Sequence, residues 1–502
     1  MRNIPSTMAT QHPDNASAPY WSKYRSAFIS APEEISESVI CFKDLGVSEY
    51  MWDWEGKNAD AAVIDRLFSE YYDYFKRNIL GKDKFLTFRI PNIWEEKGYN
   101  LLQAMTVILS SEDFARDLKL ANKPLFEVIL PMTERAEQVI HMQKLFDKLA
   151  KFKSLDFTPD RLPNDTYLEL IPLIESVESQ LNVKQLLYNY LKLHDANFAF
   201  RPKYLRVFLA CSDSALSSGH IASVLGNKLG LARLYEFSKS SKLPIFPILG
   251  PGSLAFRGGL SPDSIDRFMS EYPGVRTVTI QSSFRYDNIE AKVKAAIKKL
   301  EDKLPKLKPL SFTPKEQSLL EEVIEISSEF YGSTINKIIP DLNKIFASVP
   351  KRRERRQHIG LLAYGRKLGT VELPRAITFT AGFYSIGIPP EFIGAGRTLN
   401  KLSKSQSNVL FSTYKSMKDN FVAAGKYLNH DNLSALTKNN KGWQEIRQDI
   451  DYLEQILNVK FGPTTNNEKM HIELSGKLLK SKSGSESTKL IEQMAVIRGS
   501  LG

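Results

Sequence analysis

The sequence has very little cysteine, and this limits both its chemistry and its compartment. Cys41 and Cys211 are the only two cysteines in 502 residues. Two cysteines are too few for a disulfide framework or for a zinc site built on thiolates. We therefore expect two buried thiols in a protein of the reducing cytoplasm.

Long apolar runs are also missing. No uninterrupted hydrophobic stretch is long enough to cross a bilayer, so we expect no membrane association. The N-terminal residues do not combine a basic start with an apolar stretch, and we expect no signal peptide. Hydrophobic residues make up 42% and charged residues 25% of the chain, which is typical of a soluble globular protein.

Acidic residues are fewer than basic ones, and the formal net charge is +11. This excess fits nucleic-acid binding, the capture of small, highly charged anions, or lysine used simply as a surface residue. The densest basic run covers residues 351–356. A solvated helix face is the commoner explanation of such a run. Since no aromatic residues are interleaved with it, we expect no nucleic-acid partner.

Eight short β-prone runs recur through the first three hundred residues. They cover residues 4–10, 47–53, 85–90, 126–131, 167–173, 205–211, 244–249 and 276–281. Helix-like stretches, such as residues 60–78, 133–151 and 219–238, lie between them. A spacing of roughly 32 to 43 residues accommodates one strand, one helix and two loops. The pattern predicts an α/β fold, a (β/α)₈ TIM-type barrel.

Polar or charged residues follow nearly every predicted strand. In chain order they are His12, Asp53, Glu55, Arg89, Asn92, Thr133, Glu175, Asp213, Arg257, Gln281 and Arg285. Loops are polar in any case, so that a single residue of this set proves little. Because all strand ends of such a barrel converge on one face, the whole set predicts an active site there.

Beyond about residue 310 the pattern changes to long helices. Thr313-Pro314-Lys315-Glu316 is a capping box with proline at the first helical position. We predict a barrel over residues 1–305 that carries most of the active site. A C-terminal helical domain over residues 306–502 would contribute arginines and subunit contacts and make the fold helix-rich. The Ser/Lys-rich residues 480–489 predict a mobile loop.

Three features could carry chemistry. His12 ends the first strand, and although a lone histidine is more often structural, its position at the barrel mouth favours a function. Glu175 and Asp213 follow adjacent strands, where two carboxylates suit Mg²⁺; separate caps or salt bridges are the alternative. The loop of residues 250–259 combines glycines with Arg257, which suits a phosphate unless the loop is merely a tight turn.

Several segments belong together as one set of motifs. They are residues 8–15, 126–133, the glycine-rich loop 250–259, and residues 281–287, 373–377 and 498–502. Together they resemble phosphoenolpyruvate carboxylase, specifically its short, archaeal-type branch, and the resemblance covers essentially the whole chain.

The resemblance implies roles for individual residues. His12 looks like the family's catalytic histidine, and Arg257 looks like the arginine of its catalytic loop. Glu175 and Asp213 look like its metal ligands. Where the larger enzymes carry a lysine three residues after the metal aspartate, this chain has Leu216, so another cation would take that role. The candidate substrate-binding residues are Arg89, Gly258, Gly259, Arg285 and Arg375.

The implied activity is Mg²⁺-dependent carboxylation of phosphoenolpyruvate by bicarbonate, with Mn²⁺ as a possible substitute. Oxaloacetate and phosphate would form through carboxyphosphate and the pyruvate enolate, which is anaplerotic carbon fixation. The family also implies a homotetramer. The alternatives are another metal-dependent barrel lyase acting on an enolate, which would not require bicarbonate, and a basic nucleic-acid-binding protein.

Overall fold

The computed structural model defines most of the chain. It describes residues 3–11, 28–96, 98–120, 122–157, 167–356, 366–368, 371–481 and 484–502. His12 lies outside these residues.

Eight parallel strands form a closed barrel, and all eight predicted strands are confirmed. The strands are β1 (Thr7–Thr10), β2 (Glu49–Asp53), β3 (Phe85–Arg89), β4 (Glu127–Leu130), β5 (Glu169–Ile174), β6 (Leu205–Ala210), β7 (Ile245–Gly250) and β8 (Thr277–Ile280). Each strand pairs with the next one along the chain. The barrel closes through Met8 of β1, whose register partners are Glu49 of β2 and Thr279 of β8.

The barrel interior is packed with side chains. Successive side chains of a strand point to opposite faces, so that every second residue points inward. The central interior cluster consists of Met8, Met51, Ile129, Ile171, Leu173, Phe208, Ala210 and Ile248. The residues between them face the helices, as Trp52 and Tyr50 do within the larger outer core.

An ionic layer closes the N-terminal end of the barrel. Arg206 of β6 binds Glu49 of β2 at 2.6 Å and Glu127 of β4 at 2.8 Å. Its Nη2 also donates to the Thr277 hydroxyl of β8 at 3.1 Å. These four residues come from alternate strands, as the side-chain layers of such barrels do. All four are nearly or completely buried.

Helices surround the barrel between its strands. They are α1 (Ala31–Lys43), α2 (Val63–Glu70), α3 (Tyr72–Arg77), α4 (Gly98–Asp117), α5 (Ala136–Asp156), α6 (Val177–Leu181), α7 (Val183–Asn197), α8 (Ser212–Ser218), α9 (His220–Ser241), α10 (Ile265–Glu271), α11 (Ser282–Tyr286) and α12 (Glu290–Lys303). The helix predicted over residues 60–78 is divided in two, because Tyr71 leaves the helical conformation with φ −128° and ψ 32°. None of the described helices has the length and apolarity to cross a membrane.

The rest of the chain is mainly helical. Its helices are α13 (Pro314–Ser348), α14 (Ala376–Ser385), α15 (Ala395–Lys401), α16 (Lys404–Thr413), α17 (Met417–Gly425), α18 (His430–Leu436), α19 (Lys441–Leu457), α20 (Asn466–Lys480) and α21 (Ser485–Arg498). The capping box at Thr313 is confirmed, since Thr313 and Glu316 exchange side-chain to backbone hydrogen bonds. The loop predicted over residues 480–489 is wrong for its second half, because α21 begins at Ser485.

The C-terminal helices share a core with the barrel's helical layer. One apolar cluster joins Leu216 of α8 and Leu225 of α9 to Tyr331 and Ile335 of α13. The Tyr331 hydroxyl donates to the Leu216 carbonyl at 2.9 Å. The α8 and α9 side of the barrel, which includes the end of β6, is therefore held directly by α13.

Candidate active site

At the C-terminal ends of the strands, polar residues occupy the inward-facing positions. Asp53 and Arg89 are the last residues of β2 and β3 and lie in register with each other. Glu175 follows β5 by one residue, and Gln281 follows β8 by one residue. Alternation along each strand directs these side chains to the same face as the interior cluster. The strand ends thus collect carboxylates, an arginine and an amide at the barrel mouth.

Arg89 is clamped by two acidic side chains. Its Nε donates to Asp53 Oδ1 at 2.9 Å, its Nη2 pairs with the other Asp53 oxygen, and its Nη1 lies 2.6 Å from Glu55. Burial alone would lower the pKa of Arg89, but Asp53, Glu55 and Glu175 raise it above its ordinary range. The predicted phosphate ligand is therefore a partly exposed cation fixed within an acidic cluster.

Glu175 and Asp213 occupy neighbouring positions on the mouth. β5 and β6 pair with Ile174 opposite Leu209, so that Glu175 leaves β5 beside the end of β6. Asp213 lies in the first turn of α8, which follows β6. Glu175 is buried, while Asp213 is partly exposed. Two carboxylates on adjacent strand ends match the oxygen donors that Mg²⁺ takes from proteins.

Arg257 is a buried cation in the glycine-rich loop at the mouth. It is 3% exposed and belongs to the 3₁₀ turn Ala255–Arg257, which follows β7. Its Nε donates to the Ser212 hydroxyl at 3.0 Å, its Nη2 to Gln281 Oε1 at 2.9 Å and its Nη1 to the Gly502 main-chain oxygen. Burial lowers its pKa to about 10, opposed by the charge of Asp213. Within the described part of the chain, Arg257 forms no salt bridge with an acidic side chain.

The glycine-rich loop folds tightly on itself. Gly258 and Gly259 have φ values of +105° and +72°, a region that favours glycine. A Cβ on Gly258 would lie 2.9 Å from Pro251 Cβ, too close for any other residue. The N–H groups of Gly258 and Gly259 both donate within the loop, to Ala255 and Leu254. These glycines therefore shape the turn that carries Arg257, and their contact with substrate remains a prediction.

The strand that leads to His12 is held by a buried lysine. Gln11, the residue before His12, accepts hydrogen bonds through Oε1 from Lys57 Nζ at 3.0 Å and from the Asp53 N–H at 3.2 Å. Lys57 is fully buried and also binds Glu34 of α1 at 2.7 Å. Burial lowers the pKa of Lys57, opposed by Glu34. The end of β1 is thus fixed although His12 itself is outside the described residues.

Arg285 supports the same strand from the helical layer. It is fully buried, and its Nη2 donates to the Thr10 carbonyl at 2.9 Å and to Glu37 at 3.2 Å. The Tyr286 hydroxyl donates to the same Glu37 oxygen at 2.8 Å. These contacts make Arg285 a support of β1, and its predicted role in substrate binding remains a prediction.

Arg375 and Leu216, two further positions singled out in the sequence, differ in exposure. Arg375 is exposed and directly precedes α14. Gly502 packs on the first turn of α14, where an added Cβ would lie 2.2 Å from the Ile377 carbonyl oxygen. Because Gly502 also accepts from Arg257, the start of α14 lies beside the glycine-rich loop. Leu216 is completely buried in the apolar core. That another cation takes the role of the absent lysine stays a prediction.

The basic run 351–356 is not a solvated helix face. Arg352 binds Asp287 at 3.0 Å and Arg353 binds Glu33 at 2.7 Å. Arg355 is 1% exposed and binds Glu37 at 3.0 Å. The acidic partners lie mainly on α1, more than 300 residues earlier in the chain, and a local sequence pattern could not reveal them. The run attaches the C-terminal part of the chain to the barrel.

Sequence reasoning missed two buried charged residues near the mouth. One is Lys57. The other is Glu391, whose Oε1 accepts the Phe256 N–H of the glycine-rich loop at 2.9 Å. A weak signal for Glu391 was present, because it stands between Pro390 and Phe392 in an otherwise apolar segment.

Comparison with known proteins agrees with these features. A family model described as phosphoenolpyruvate carboxylase matches residues 4–502. A phosphoenolpyruvate carboxylase of Leuconostoc mesenteroides is 52% identical, over all of this chain and 99% of its own length. That of Oenococcus oeni is 48% identical over the same shares. That of Metallosphaera sedula is 38% identical over the whole of both chains.

These matches extend from the first strand of the barrel through the last helix. Together with the closed eight-stranded barrel, they confirm the predicted fold class and the resemblance to phosphoenolpyruvate carboxylase. The chain belongs to the phosphoenolpyruvate carboxylase family.

Proposed function

We propose that this chain carboxylates phosphoenolpyruvate with bicarbonate and forms oxaloacetate and inorganic phosphate. The observation that carries the proposal is the buried Arg257, which donates to the Ser212 hydroxyl and to the Gln281 amide oxygen at a barrel mouth that also presents Glu175 and Asp213. A phosphorylated acid and a hard divalent cation require such opposite charges side by side. Family membership supports the same anaplerotic reaction.

Glu175 and Asp213 would hold the Mg²⁺, for which Mn²⁺ could substitute. Among the described residues no third histidine, cysteine or carboxylate joins them in a metal-binding group. Such a pair leaves coordination positions for water and substrate oxygens, as Mg²⁺ sites usually do. When bound, the ion would supply the positive charge that stabilises the enolate oxygen.

Arg257 would stabilise the phosphoryl group during its transfer. A bicarbonate oxygen attacks phosphorus, the bond from phosphorus to the enol oxygen breaks, and carboxyphosphate and pyruvate enolate remain. Negative charge gathers on the phosphoryl oxygens, and a buried guanidinium with planar donors offsets it. Arg89 and Arg375 would bind the substrate phosphate, with Gly258, Gly259 and Arg285 completing the site.

His12 would accept a proton from carboxyphosphate, so that CO₂ separates from phosphate beside the enolate. The enolate carbon then attacks CO₂ and forms the new carbon–carbon bond of oxaloacetate. Lys57 and the Asp53 N–H hold the side chain of Gln11, which would fix the backbone position from which His12 extends. Closure of the glycine-rich loop would keep water away from both reactive species.

We also propose that the chain works in the cytoplasm as a homotetramer, as the family resemblance implies. Light scattering on the purified protein would then give about four times the 57.0 kDa of one chain. The mass of a monomer or dimer would refute this part of the proposal.

The test of the reaction is oxaloacetate formation, followed by its reduction with a coupling dehydrogenase, together with phosphate release. Both products should require phosphoenolpyruvate, bicarbonate and a divalent cation. If the purified protein forms neither, the proposed function is wrong. Carbon–carbon cleavage without bicarbonate would instead identify another barrel lyase.

The order of the steps can be tested with His12→Asn. This variant should lose oxaloacetate formation but keep some bicarbonate-dependent phosphate release, because the histidine acts after phosphoryl transfer. His141→Asn, at the outer helix α5, is the matched control and should behave as wild type. Equal and complete loss of both products in His12→Asn would contradict this order.

A further inference from the structure

A buried carboxylate from the C-terminal part of the chain contacts the loop that carries Arg257. Glu391 lies in the 3₁₀ turn Pro390–Phe392 and is fully buried. Its Oε1 accepts the Phe256 N–H at 2.9 Å and the Tyr384 hydroxyl at 2.7 Å. Its Oε2 has no hydrogen-bond partner among the described residues.

The contact falls on the residue next to the proposed phosphoryl ligand. Phe256 and Arg257 belong to the same 3₁₀ turn, so that the orientation of one peptide sets that of the next. The Phe256 ring also stacks on Phe379 of α14, with ring centroids 5.6 Å apart. The turn that presents Arg257 is therefore anchored on two sides by the C-terminal helices.

We propose that Glu391 is a positioning residue, whose carboxylate holds this turn and thereby sets how firmly Arg257 is presented to the phosphoryl group. The proposal rests on the proposed function, since Arg257 is taken as the phosphoryl ligand. Glu391 does not contact Arg257 itself through any described hydrogen bond. Its effect would pass through the backbone between Phe256 and Arg257.

The surroundings of Glu391 leave its charge unneutralised. Burial raises its pKa to about 7, opposed by the hydrogen bonds from Tyr384 and Phe256. From α9 the nearby titratable group is His220, whose pKa burial lowers to about 3, so that it stays neutral. Tyr414 binds His220 at 2.7 Å, and burial raises its own pKa far above neutrality.

The fixed charges around the turn are matched or shielded. Asp449 of α19 is paired with Arg397 of α15 at 2.9 Å. Arg498 of α21 lies over the Tyr384 ring, 5.5 Å from its centre. Among the described residues no basic side chain forms a salt bridge with Glu391, so that its protonation changes the acceptor strength of Oε1 directly.

The ionised carboxylate is the stronger acceptor of the Phe256 N–H, because charge-assisted hydrogen bonds are about twice as strong as neutral ones. Above about pH 7 the anchor should hold the turn firmly, and below it the protonated acid should hold it less well. Glu391→Gln keeps the acceptor oxygen but resembles the protonated acid at every pH.

The test is the kcat of Glu391→Gln divided by that of wild type, measured from about pH 5.5 to pH 8.5. The ratio cancels the titrations of His12 and of the substrates. It should be near one at low pH and fall about threefold to tenfold as pH rises through 7. A ratio that does not change with pH would overturn the proposal.

The matched control is Glu468→Gln. Glu468 also accepts backbone N–H bonds, from Thr464 and Thr465, but at the start of α20. Its ratio to wild type should stay constant over the whole pH range. A pH-dependent ratio for Glu468→Gln equal to that of Glu391→Gln would also overturn the proposal, because the effect would then not belong to the loop contact.

Tyr384→Phe provides a second variant. It removes a hydrogen bond that lowers the pKa of Glu391, so the step in the pH profile should move to higher pH by roughly half a unit or more. A step that stays in place, or moves to lower pH, would count against the proposed titration.

Stability separates positioning from simple structural damage. The folded-state pKa of Glu391 lies above that of an unfolded glutamate. Ionisation of Glu391 therefore lowers the free energy of unfolding as pH rises. Glu391→Gln removes this cost and should melt at a higher temperature than wild type at pH 8, while its kcat is lower. A variant that loses both activity and stability would refute the positioning role.

Amide exchange distinguishes failure of this proposal from failure of the proposed function. Exchange at residues 252–260, corrected for its intrinsic pH dependence, should be faster in Glu391→Gln than in wild type at pH 8. If wild type forms no oxaloacetate yet shows this difference, the proposed function fails and the anchor stands. If wild type is active and exchange is unchanged, the anchor fails.

Discussion

Replacing Arg206 by methionine should destabilise the protein in a way that depends on pH. The variant removes the only basic member of the ionic layer at the bottom of the barrel and leaves the buried Glu49 and Glu127 facing each other. Hydrogen bonds from the Thr87 and Tyr204 hydroxyls remain, but they carry no positive charge. Breaking a buried ion pair in this way costs about 3–5 kcal/mol.

The pH dependence arises because the two carboxylates can take up a proton, which removes one of the buried charges. Taking up a proton costs a glutamate about 4 kcal/mol at pH 7 but only about 1 kcal/mol at pH 5, from the distance between the pH and its reference pKa. The folded state of the variant binds a proton that the unfolded state lacks, so its stability is lost as pH rises.

Urea unfolding, monitored by tryptophan fluorescence at pH 7 and at pH 5, measures the free energy of unfolding of the variant and of wild type. The loss in free energy of unfolding for Arg206→Met should be about 4 kcal/mol at pH 7 and about 1–2 kcal/mol at pH 5. Glu49→Gln/Arg206→Met/Glu127→Gln, which carries no charge in the layer, should lose the pH dependence. An equal loss at both pH values would show that packing, and not uncompensated charge, causes the effect.

Three further variants test the barrel mouth. Arg257→Lys keeps the charge but cannot reach Ser212, Gln281 and Gly502 together, so kcat should fall by about 10²–10³ with little change in melting temperature; a fall below tenfold would contradict this. Asp213→Asn should raise the Mg²⁺ concentration for half-maximal activity at least about tenfold, whereas an unchanged requirement would remove Asp213 from the metal site. Lys57→Met should cost about 3 kcal/mol in urea unfolding, because it removes a buried partner of Glu34; a change below about 1 kcal/mol would refute the role of this pair.

The barrel could be predicted from sequence because its signal is local and repeated. Each strand is a short apolar run, and polar residues stand at or shortly after the end of nearly every one. Glu175 after β5 and Asp213 after β6 are examples, and their nearness follows from strand order alone. The capping box at Thr313 is local in the same sense, since Thr313 and Glu316 are three residues apart.

What could not be predicted depends on partners far away in the chain. The basic run 351–356 resembles a surface segment until its acidic partners on α1 are known. Lys57 and Glu391 are charged residues whose burial is stabilised by contacts from other elements. The serine-rich stretch before Ser485 has the composition of a loop, yet Leu490, Ile491 and Met494 dock α21 into the core.

The acidic face of α1 has a consequence for synthesis of the chain. Glu37 of α1 forms an ion pair with Arg355, which is 318 residues further along the chain and leaves the ribosome long after the eighth strand. Until then two buried glutamates, Glu34 and Glu37, lack one of their cations beside the strand that leads to His12. The barrel would close before it is electrostatically complete, so the nascent chain should gain its final protease resistance only when the C-terminal part arrives.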